Sequence, residues 1–227
     1  MDLTPQHLWH SMGMPAKLVF FVLIAMLIWC VYVGIERLIM FMKARAQSRA
    51  LAGLIGKPLA EGDVEGALRI VSEPAYKVSY LALILKTGLT EYRARNDRHG
   101  IDAAKRGLER MALTEAANLR KGMNVLATTG STAPFVGLVG TIFGIINAFA
   151  VMSTTGGGDL TAISGGIAEA LVSTAVGIAV AIAAIWIYNY FNAVIDDISK
   201  DMTTSIAELV DWVEKDSLRR EESQAAK

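Results

Sequence analysis

Long segments without charged side chains limit the folds that this chain can adopt. Residues 18–35, 125–152 and 170–195 contain no Asp, Glu, Lys or Arg, and they are 18, 28 and 26 residues long. About 20 apolar residues suffice for a helix to cross the hydrocarbon core of a bilayer. The mean hydropathy of +0.39, with only 19% charged residues, agrees with this interpretation. The sequence therefore predicts an all-α, multi-pass membrane protein with three transmembrane helices.

The distribution of basic residues predicts the orientation of these helices. No Lys or Arg precedes Lys17, whereas Arg37, Lys43 and Arg45 follow the first run. Because basic residues beside spans stay on the cytoplasmic side, we expect the N-terminus outside and the C-terminus inside. The first run lacks the basic flank and the cleavage site of a signal peptide, which favours a retained helix.

These observations divide the chain into seven parts. They are an outer N-terminal segment (1–15), a first transmembrane helix (16–42), a cytoplasmic helical segment (43–124), a second transmembrane helix (125–152), a short outer loop (153–164), a third transmembrane helix (165–192) and a cytoplasmic amphipathic helix with a tail (193–227). Residues 43–125 hold fifteen basic and nine acidic side chains, which supports their cytoplasmic placement.

Helices are predicted throughout the cytoplasmic segment. Asp63 is a suitable N-cap for a short helix through Val71, and residues 76–95 suit another helix. Apolar residues recur at helical spacing from Leu108 to Leu126, which predicts one helix running directly into the second span. The same spacing beyond residue 195 predicts that the third span continues into the cytoplasm as one amphipathic helix that packs on its neighbours.

Small residues form a stripe along each of the last two spans. The stripes are Gly137, Thr141, Gly144 and Ala148 in the second span, and Gly166, Ala170, Ser173 and Gly177 in the third. Small faces let membrane helices approach closely. We therefore interpret five glycines as helix-packing residues: Gly137, Gly140, Gly144, Gly166 and Gly177.

Three polar side chains lie on or beside these stripes. Thr141 is a lone hydroxyl within its span, and bonding back to its own helix is an equally good interpretation. Glu169 and Thr174 lie on opposite edges of the third-span stripe, as a wide hydrated wall would require. An ionisable group in a span costs about 2.5–3.5 kcal/mol on insertion scales, so a functional role for Glu169 is the first hypothesis. The alternative is a Glu at the helix end that remains in contact with water.

The remaining signals exclude several classes of protein. A net charge of zero provides no overall basic field for nucleic acid. The three histidines are too scattered for a metal site, and no Ser/His/Asp or Cys/His set can be assembled. The only cysteine, Cys30, suits a small buried hydrophobe. We expect a protein that is not an enzyme and that has neither a cofactor nor a metal.

Two motifs resemble those of a known family. Residues 133–145 (APFVGLVGTIFGI) are similar to the second-span motif of the MotA/TolQ/ExbB proton-channel family, and residues 166–177 (GIAEALVSTAVG) are similar to its third-span motif. Residues 187–189 (IYN) also fit, and the three-span layout agrees with the ExbB/TolQ-like branch. The strong resemblance covers residues 126–192.

The resemblance implies a ring of about five copies in the bacterial inner membrane. The ring would surround two copies of a single-span partner of the ExbD/TolR type, whose Asp takes up protons. Thr141 and Thr174 match the family's pore-lining threonines and Glu169 its pore glutamate, and we add Ser173 to this proton pathway. The ring would convert the proton gradient into mechanical work, and a TonB/TolA-like or motility effector would transmit that work to the cell envelope. The remaining partner would be the lipid of the membrane, and we expect no nucleic acid to bind.

One departure from the family pattern keeps an alternative open. Gly165 and Gly166 occupy the place where ExbB and TolQ proteins carry a Pro before Gly-Ile-Ala-Glu. A gliding-motility motor of the same family is therefore an alternative to outer-membrane transport or envelope maintenance. An alternative of another class is a non-conducting membrane scaffold, in which the small stripes only pack helices. A substrate transporter would need inverted repeats, and none stands out.

Overall fold

The apolar runs fold as helices that are longer than a bilayer is thick. The computed structural model describes residues 13–94, 98–154 and 160–225. The elements in chain order are α1 (Met14–Glu61), α2 (Val64–Val71), a 3-10 turn (Pro74–Tyr76), α3 (Tyr80–Ala94), α4 (Arg98–Leu119), α5 (Met123–Thr154) and α6 (Leu160–Ala225). The described residues contain no strand, so the all-α prediction is confirmed. Three of these helices, α1, α5 and α6, are long and apolar enough to cross a membrane, which makes the chain a multi-pass membrane protein.

Two helix boundaries in the membrane part differ from the predicted ones. The outer loop was expected over residues 153–164, but Ser153 and Thr154 belong to α5, and α6 already begins at Leu160. The rest of that loop, residues 155–159, lies outside the described residues. Beyond the third span, α6 continues without a break to Ala225, as the apolar spacing predicted.

The predicted continuous helix into the second span is wrong. The helix α4 ends at Leu119, and a turn through Gly122 precedes α5. Gly122 has a φ of 79°, a left-handed conformation that glycine adopts without steric cost and that helices often use as a stop. The amide of Val125 then donates to the Gly122 carbonyl at 3.1 Å as α5 begins. Because the apolar spacing is preserved across this turn, periodicity alone could not reveal it.

One compact unit consists of the described parts of residues 1–35 and 122–190. Its core joins the start of α1 to α5 and α6 through buried aliphatic side chains, which are Val19, Leu23, Ala133, Val180 and Ala181. Large apolar side chains also cover its outside: Phe135 is 68% exposed and Trp186 73% exposed. An apolar exterior over an apolar core is typical of a unit whose surroundings are lipid or neighbouring membrane helices.

A second compact unit consists of the described parts of residues 36–121 and 191–227. Here α6 exchanges hydrogen bonds with α1, α3 and α4. The buried Tyr92 hydroxyl donates to an Asp216 carboxylate oxygen at 2.9 Å, and the Trp212 indole donates to the Leu59 carbonyl at 2.8 Å. Each of these bonds joins α6 to an element more than 120 residues earlier, so they fix the long helix within this unit.

Local capping explains where the short helices begin. The Asp63 carboxylate accepts a 2.8 Å hydrogen bond from the Gly66 amide, so the predicted N-cap and the predicted end of α2 at Val71 are confirmed. The helix predicted over residues 76–95 is shorter, because a separate 3-10 turn precedes it and the Ser79 hydroxyl accepts from the Ala82 amide. It runs from Tyr80 to Ala94, and residue 95 lies outside the described chain.

Two ionisable side chains in this second unit have raised pKa values. Burial raises the pKa of Tyr80, and its hydrogen bond to an Asp201 carboxylate oxygen at 3.1 Å adds to the effect. The exposed Lys105 ammonium has its pKa raised by the Glu214 carboxylate at 2.7 Å. Both groups therefore keep their protons at neutral pH.

Candidate functional site

The helices α5 and α6 meet backbone to backbone at a series of glycines. A Cβ built at Gly137 would lie 2.8 Å from the Ser173 carbonyl oxygen, and one at Gly177 would lie 2.6 Å from the Ala133 carbonyl oxygen. Real Cβ atoms essentially never approach other atoms within 3.0 Å. Any side chain at these two positions would therefore push the helices apart.

The other three predicted packing glycines lie at the same contact. A Cβ at Gly140 would lie 2.8 Å from the Ser173 Cβ, and one at Gly144 would lie 2.8 Å from the Ala170 Cβ. A Cβ at Gly166 would lie 2.6 Å from the Ala148 Cβ. The two stripes described from the sequence thus face each other, and close approach follows from the absence of side chains.

The sequence interpretation missed one glycine of this contact. A Cβ at Gly130 would lie 2.7 Å from the Ile185 Cγ1 atom, so α5 approaches α6 closely here as well. The signal was available, because Gly130, Gly137 and Gly144 follow one another at intervals of seven residues. A seven-residue interval keeps positions on nearly the same face of a helix, which is the pattern of helices that cross at a shallow angle.

Two threonine hydroxyls meet inside this close contact. The Oγ1 atoms of Thr141 and Thr174 lie 3.0 Å apart, one from each helix. The Thr141 hydroxyl also lies within hydrogen-bonding distance of the Leu138 carbonyl, at 2.7 Å. Because a hydroxyl has one proton, Thr141 can donate either to Leu138 or to Thr174, and either threonine can be the donor of the bond between them. Thr141 therefore bonds back to its own helix, as one interpretation held, and also joins the other span.

The two hydroxyls differ in their surroundings. Thr141 is 8% exposed, whereas Thr174 is half-buried at the edge of the helix pair. Whichever hydroxyl donates, the Thr174 oxygen keeps at least one lone pair that can accept a hydrogen bond. The pair thus presents a hydrogen-bond acceptor at the surface of two helices whose spans carry no basic residue.

Ser173 and Glu169 occupy different situations on α6. Ser173 is fully buried at 0% exposure, it faces Gly140, and its Oγ has no hydrogen-bond partner among the described atoms. In this fold its hydroxyl is enclosed between α5 and α6, and its place in a proton pathway stays a prediction. Glu169 lies one helical turn earlier in α6, and its side chain lies outside the described residues. Its predicted role also stays a prediction.

Two other kinds of site were considered from the sequence: a metal site and a reactive cysteine. Within the part of the chain that the structure describes, no three His, Cys, Asp or Glu side chains lie close enough together to hold a metal ion. The Cys30 thiol is buried at 1% exposure, in agreement with its interpretation as a small hydrophobe. The threonine pair is the site at which side-chain hydroxyls of α5 and α6 meet within the described spans.

Comparison with known proteins agrees with the sequence motifs. The family model described as the MotA/TolQ/ExbB proton channel family matches residues 77–204, which is more than half of the chain. A Biopolymer transport protein ExbB of Neisseria meningitidis serogroup A is 33% identical over 181 residues, covering 77% of this chain and 80% of the relative. The matched residues include α5 and the first half of α6, where the glycine contact and the threonine pair lie.

Two further relatives match over shorter stretches. A Biopolymer transport protein ExbB of Xanthomonas campestris pv. campestris is 39% identical over 107 residues, covering 47% of this chain and 42% of the relative. A Tol-Pal system protein TolQ of Pseudomonas aeruginosa is 39% identical over 116 residues, covering 48% of this chain and 50% of the relative. These matches therefore span about half the length of those relatives or less. The extent of the family match and the similarity over most of the Neisseria relative show that the chain belongs to the MotA/TolQ/ExbB proton channel family.

Proposed function

We propose that this chain forms the channel wall of a proton-driven motor in the bacterial inner membrane. Its work would support outer-membrane transport or envelope maintenance. The similarity to relatives named Biopolymer transport protein ExbB and Tol-Pal system protein TolQ supports a role in a system of this kind. The observation that carries the proposal is the 3.0 Å contact between the Thr141 and Thr174 hydroxyls, which lie in the uncharged runs 125–152 and 170–195. A gliding-motility motor is the alternative within the family. The chain itself would make and break no covalent bonds and would not be an enzyme.

The mechanism follows from the cost of moving charge through an apolar wall. An elementary charge that crosses 100 mV releases about 2.3 kcal/mol, whereas a bare carboxylate inside a bilayer is strongly disfavoured. A partner Asp that takes up a proton becomes neutral and can pass the apolar wall of α5 and α6. The threonine pair would offer this protonated acid a hydrogen-bond acceptor within the span. Glu169 would adjust its proton affinity on the way.

The proposed assembly has about five copies of this chain. They would surround two copies of an ExbD/TolR-type partner, each with one span and a membrane Asp. A TonB/TolA-like effector would receive the work, the N-terminus would face the periplasm and the C-terminus the cytoplasm. The basic excess of residues 43–125 supports this orientation. The apolar exterior of the membrane unit supports burial against lipid or other copies.

Removing one hydroxyl at a time tests the role of the pair. Thr141→Val and Thr174→Val keep the shape of the side chain and remove the hydrogen bond at 3.0 Å. We expect both variants to assemble with the partner and to lose proton uptake, measured with a pH-sensitive dye in vesicles that contain the complex and carry an imposed membrane potential.

The matched control is Thr132→Val. Thr132 also lies in α5, and its hydroxyl donates to the Thr128 carbonyl of its own helix at 2.7 Å. This variant removes a comparable hydroxyl that does not join the two helices, so we expect proton uptake close to that of the unaltered protein. If both Thr141→Val and Thr174→Val kept normal proton uptake, the threonine pair would serve only to pack the helices, as a scaffold requires.

A further inference from the structure

Within the second unit, α1 has a first seam that is buried in its own chain. The buried positions follow one another at alternating steps of three and four, and they are Phe41, Ala44, Ser48, Leu51 and Ile55. This spacing is typical of a helix that packs along one side against neighbouring helices.

A second seam with the same spacing lies on the other side of α1 and is exposed. We call it the outer seam, and its positions are Met42, Ala46, Arg49, Gly53, Gly56 and Ala60. All six are exposed, and a Cβ built at Gly53 or Gly56 would meet no atom within 4 Å. Glycine is a poor helix former, so two glycines on an open helix face disfavour the helix without a compensating contact in the chain. Small residues at steps of three and four are instead the surface that another helix can approach closely.

The same unit has an apolar groove between α4 and α6. Two matching rows line it: Glu109, Leu113 and Ala116 from α4, and Met202, Thr203 and Ile206 from α6. Its volume is about 520 Å³, and Leu113 at its edge is 75% exposed. The α4 row spans about 10 Å along its helix, which is two turns, and the α6 row spans as much when Ser199, which also lines the groove, is included. An apolar groove of this size with an exposed leucine at its edge, outside the transmembrane spans, is a candidate surface for binding a partner.

We propose that the outer seam of one copy lies in the α4–α6 groove of the next copy. Every chain carries both surfaces, and the two are complementary in shape, because small residues and glycines face a groove with a protruding leucine. They are also complementary in charge: Arg49 lies within the seam and Lys57 beside it, whereas Glu109 lines the groove and Glu208 is exposed two residues beyond Ile206.

This contact pairs two different surfaces, so it is heterologous and can close into a ring. Each copy would give its seam to one neighbour and receive a seam from the other, and no copy in a closed ring would have an unfilled groove. The inference rests on the proposed ring of about five copies. It adds that the ring is also held together by the second unit and not only by membrane helices.

Cross-linking in native membranes tests the contact. The double variant Gly53→Cys/Leu113→Cys of the full chain would be treated with a short bis-maleimide, and the products separated by size in denaturing gels. Cys30 is buried and gives no background. We expect a ladder of linked copies that ends at the size of the ring, because each copy carries both cysteines of a head-to-tail contact. The single variants should remain monomers.

The matched control pairs Leu113→Cys with Lys86→Cys on the exposed side of α3. It presents two accessible cysteines in the same unit but only one at the proposed contact, so it should give no ladder. A ladder of equal strength from the control, or dimers from Gly53→Cys alone, would overturn the head-to-tail contact.

Native mass spectrometry of the unaltered protein separates this inference from the proposed function. An oligomer of about five copies without a ladder from Gly53→Cys/Leu113→Cys would refute the seam-in-groove contact and leave the ring intact. A monomer would refute both. An oligomer together with the ladder would support both, whereas capture of a different protein in the groove would assign that surface to another partner and overturn the inference.

Discussion

Replacing Gly177 by alanine should disrupt both the helix contact and the threonine pair. The new Cβ would lie 2.6 Å from the Ala133 carbonyl oxygen and 3.0 Å from the Gly137 Cα, and both are backbone atoms that no side-chain rotation can move. Ordinary contact begins at 3.4 Å, so the helices must separate locally by roughly 3.4 − 2.6 = 0.8 Å. Overpacking of this kind typically costs about 1–3 kcal/mol, which the better helix propensity of alanine offsets by at most about 1 kcal/mol.

The same separation should lengthen the hydrogen bond between the threonines. Gly177 lies one turn from Thr174, and Gly137 lies one turn from Thr141. A bond of 3.0 Å that lengthens by a comparable amount passes beyond the distance at which a hydrogen bond is effective. We therefore expect Gly177→Ala to lower the free energy of unfolding by about 1–2 kcal/mol and to reduce proton uptake as strongly as Thr174→Val.

The control for this prediction is Gly165→Ala in the same helix. A Cβ at Gly165 would meet no atom within 4 Å, so the substitution adds only helix propensity. Both variants would be unfolded by increasing denaturing detergent in mixed micelles, and proton uptake would be measured in vesicles. If Gly177→Ala proved as stable and as active as Gly165→Ala, the argument from backbone contact would be wrong.

Three further predictions concern single side chains. Glu169→Gln should give complexes that purify intact but do not couple to the proton gradient, whereas complexes that fall apart on purification would show a structural role. Ser173→Ala removes a buried hydroxyl without a described partner, so the free energy of unfolding should stay the same or rise by about 1 kcal/mol. A drop in proton uptake without any loss of stability would place Ser173 in the proton pathway. Tyr80 has a raised pKa, so its contribution to stability is complete below pH 10 and is lost as the pH rises through that raised value. Tyr80→Phe should remove this loss of stability at alkaline pH, measured in melting curves recorded from pH 8 to 11. If the variant lost stability over this pH range as the unaltered protein does, the prediction would be refuted.

Features with a local cause were predictable from the sequence. The three spans follow from the length of uncharged runs, and the start of α2 follows from the carboxylate of Asp63, which needs only the amide three residues later. The facing glycine stripes were visible because a helix places residues at steps of three and four on one side. The end of α4 was missed because the left-handed Gly122 interrupts the helix without disturbing the apolar spacing.

The geometry of the threonine pair could not be predicted in the same way. Motifs placed Thr141 and Thr174 near the two stripes, but their 3.0 Å distance depends on the axial register of α5 against α6. That register is set by which glycine lies opposite which backbone atom, a non-local property of the fold. The Leu138 carbonyl, 2.7 Å from the Thr141 hydroxyl, is a further acceptor that the motifs did not reveal.

The meeting of two hydroxyls also gives the helix contact hydrogen bonds whose direction can be reversed. Two hydroxyl protons are shared among the oxygens of Thr141, Thr174 and the Leu138 carbonyl. Exchanging donor and acceptor at the pair needs only rotation of two C–O bonds, and the helices need not move. Under the proposed function, the pair would therefore accept a hydrogen bond from a protonated carboxylic acid in one arrangement and donate one to a carboxylate in the other. It would then accompany a carrier in both of its protonation states.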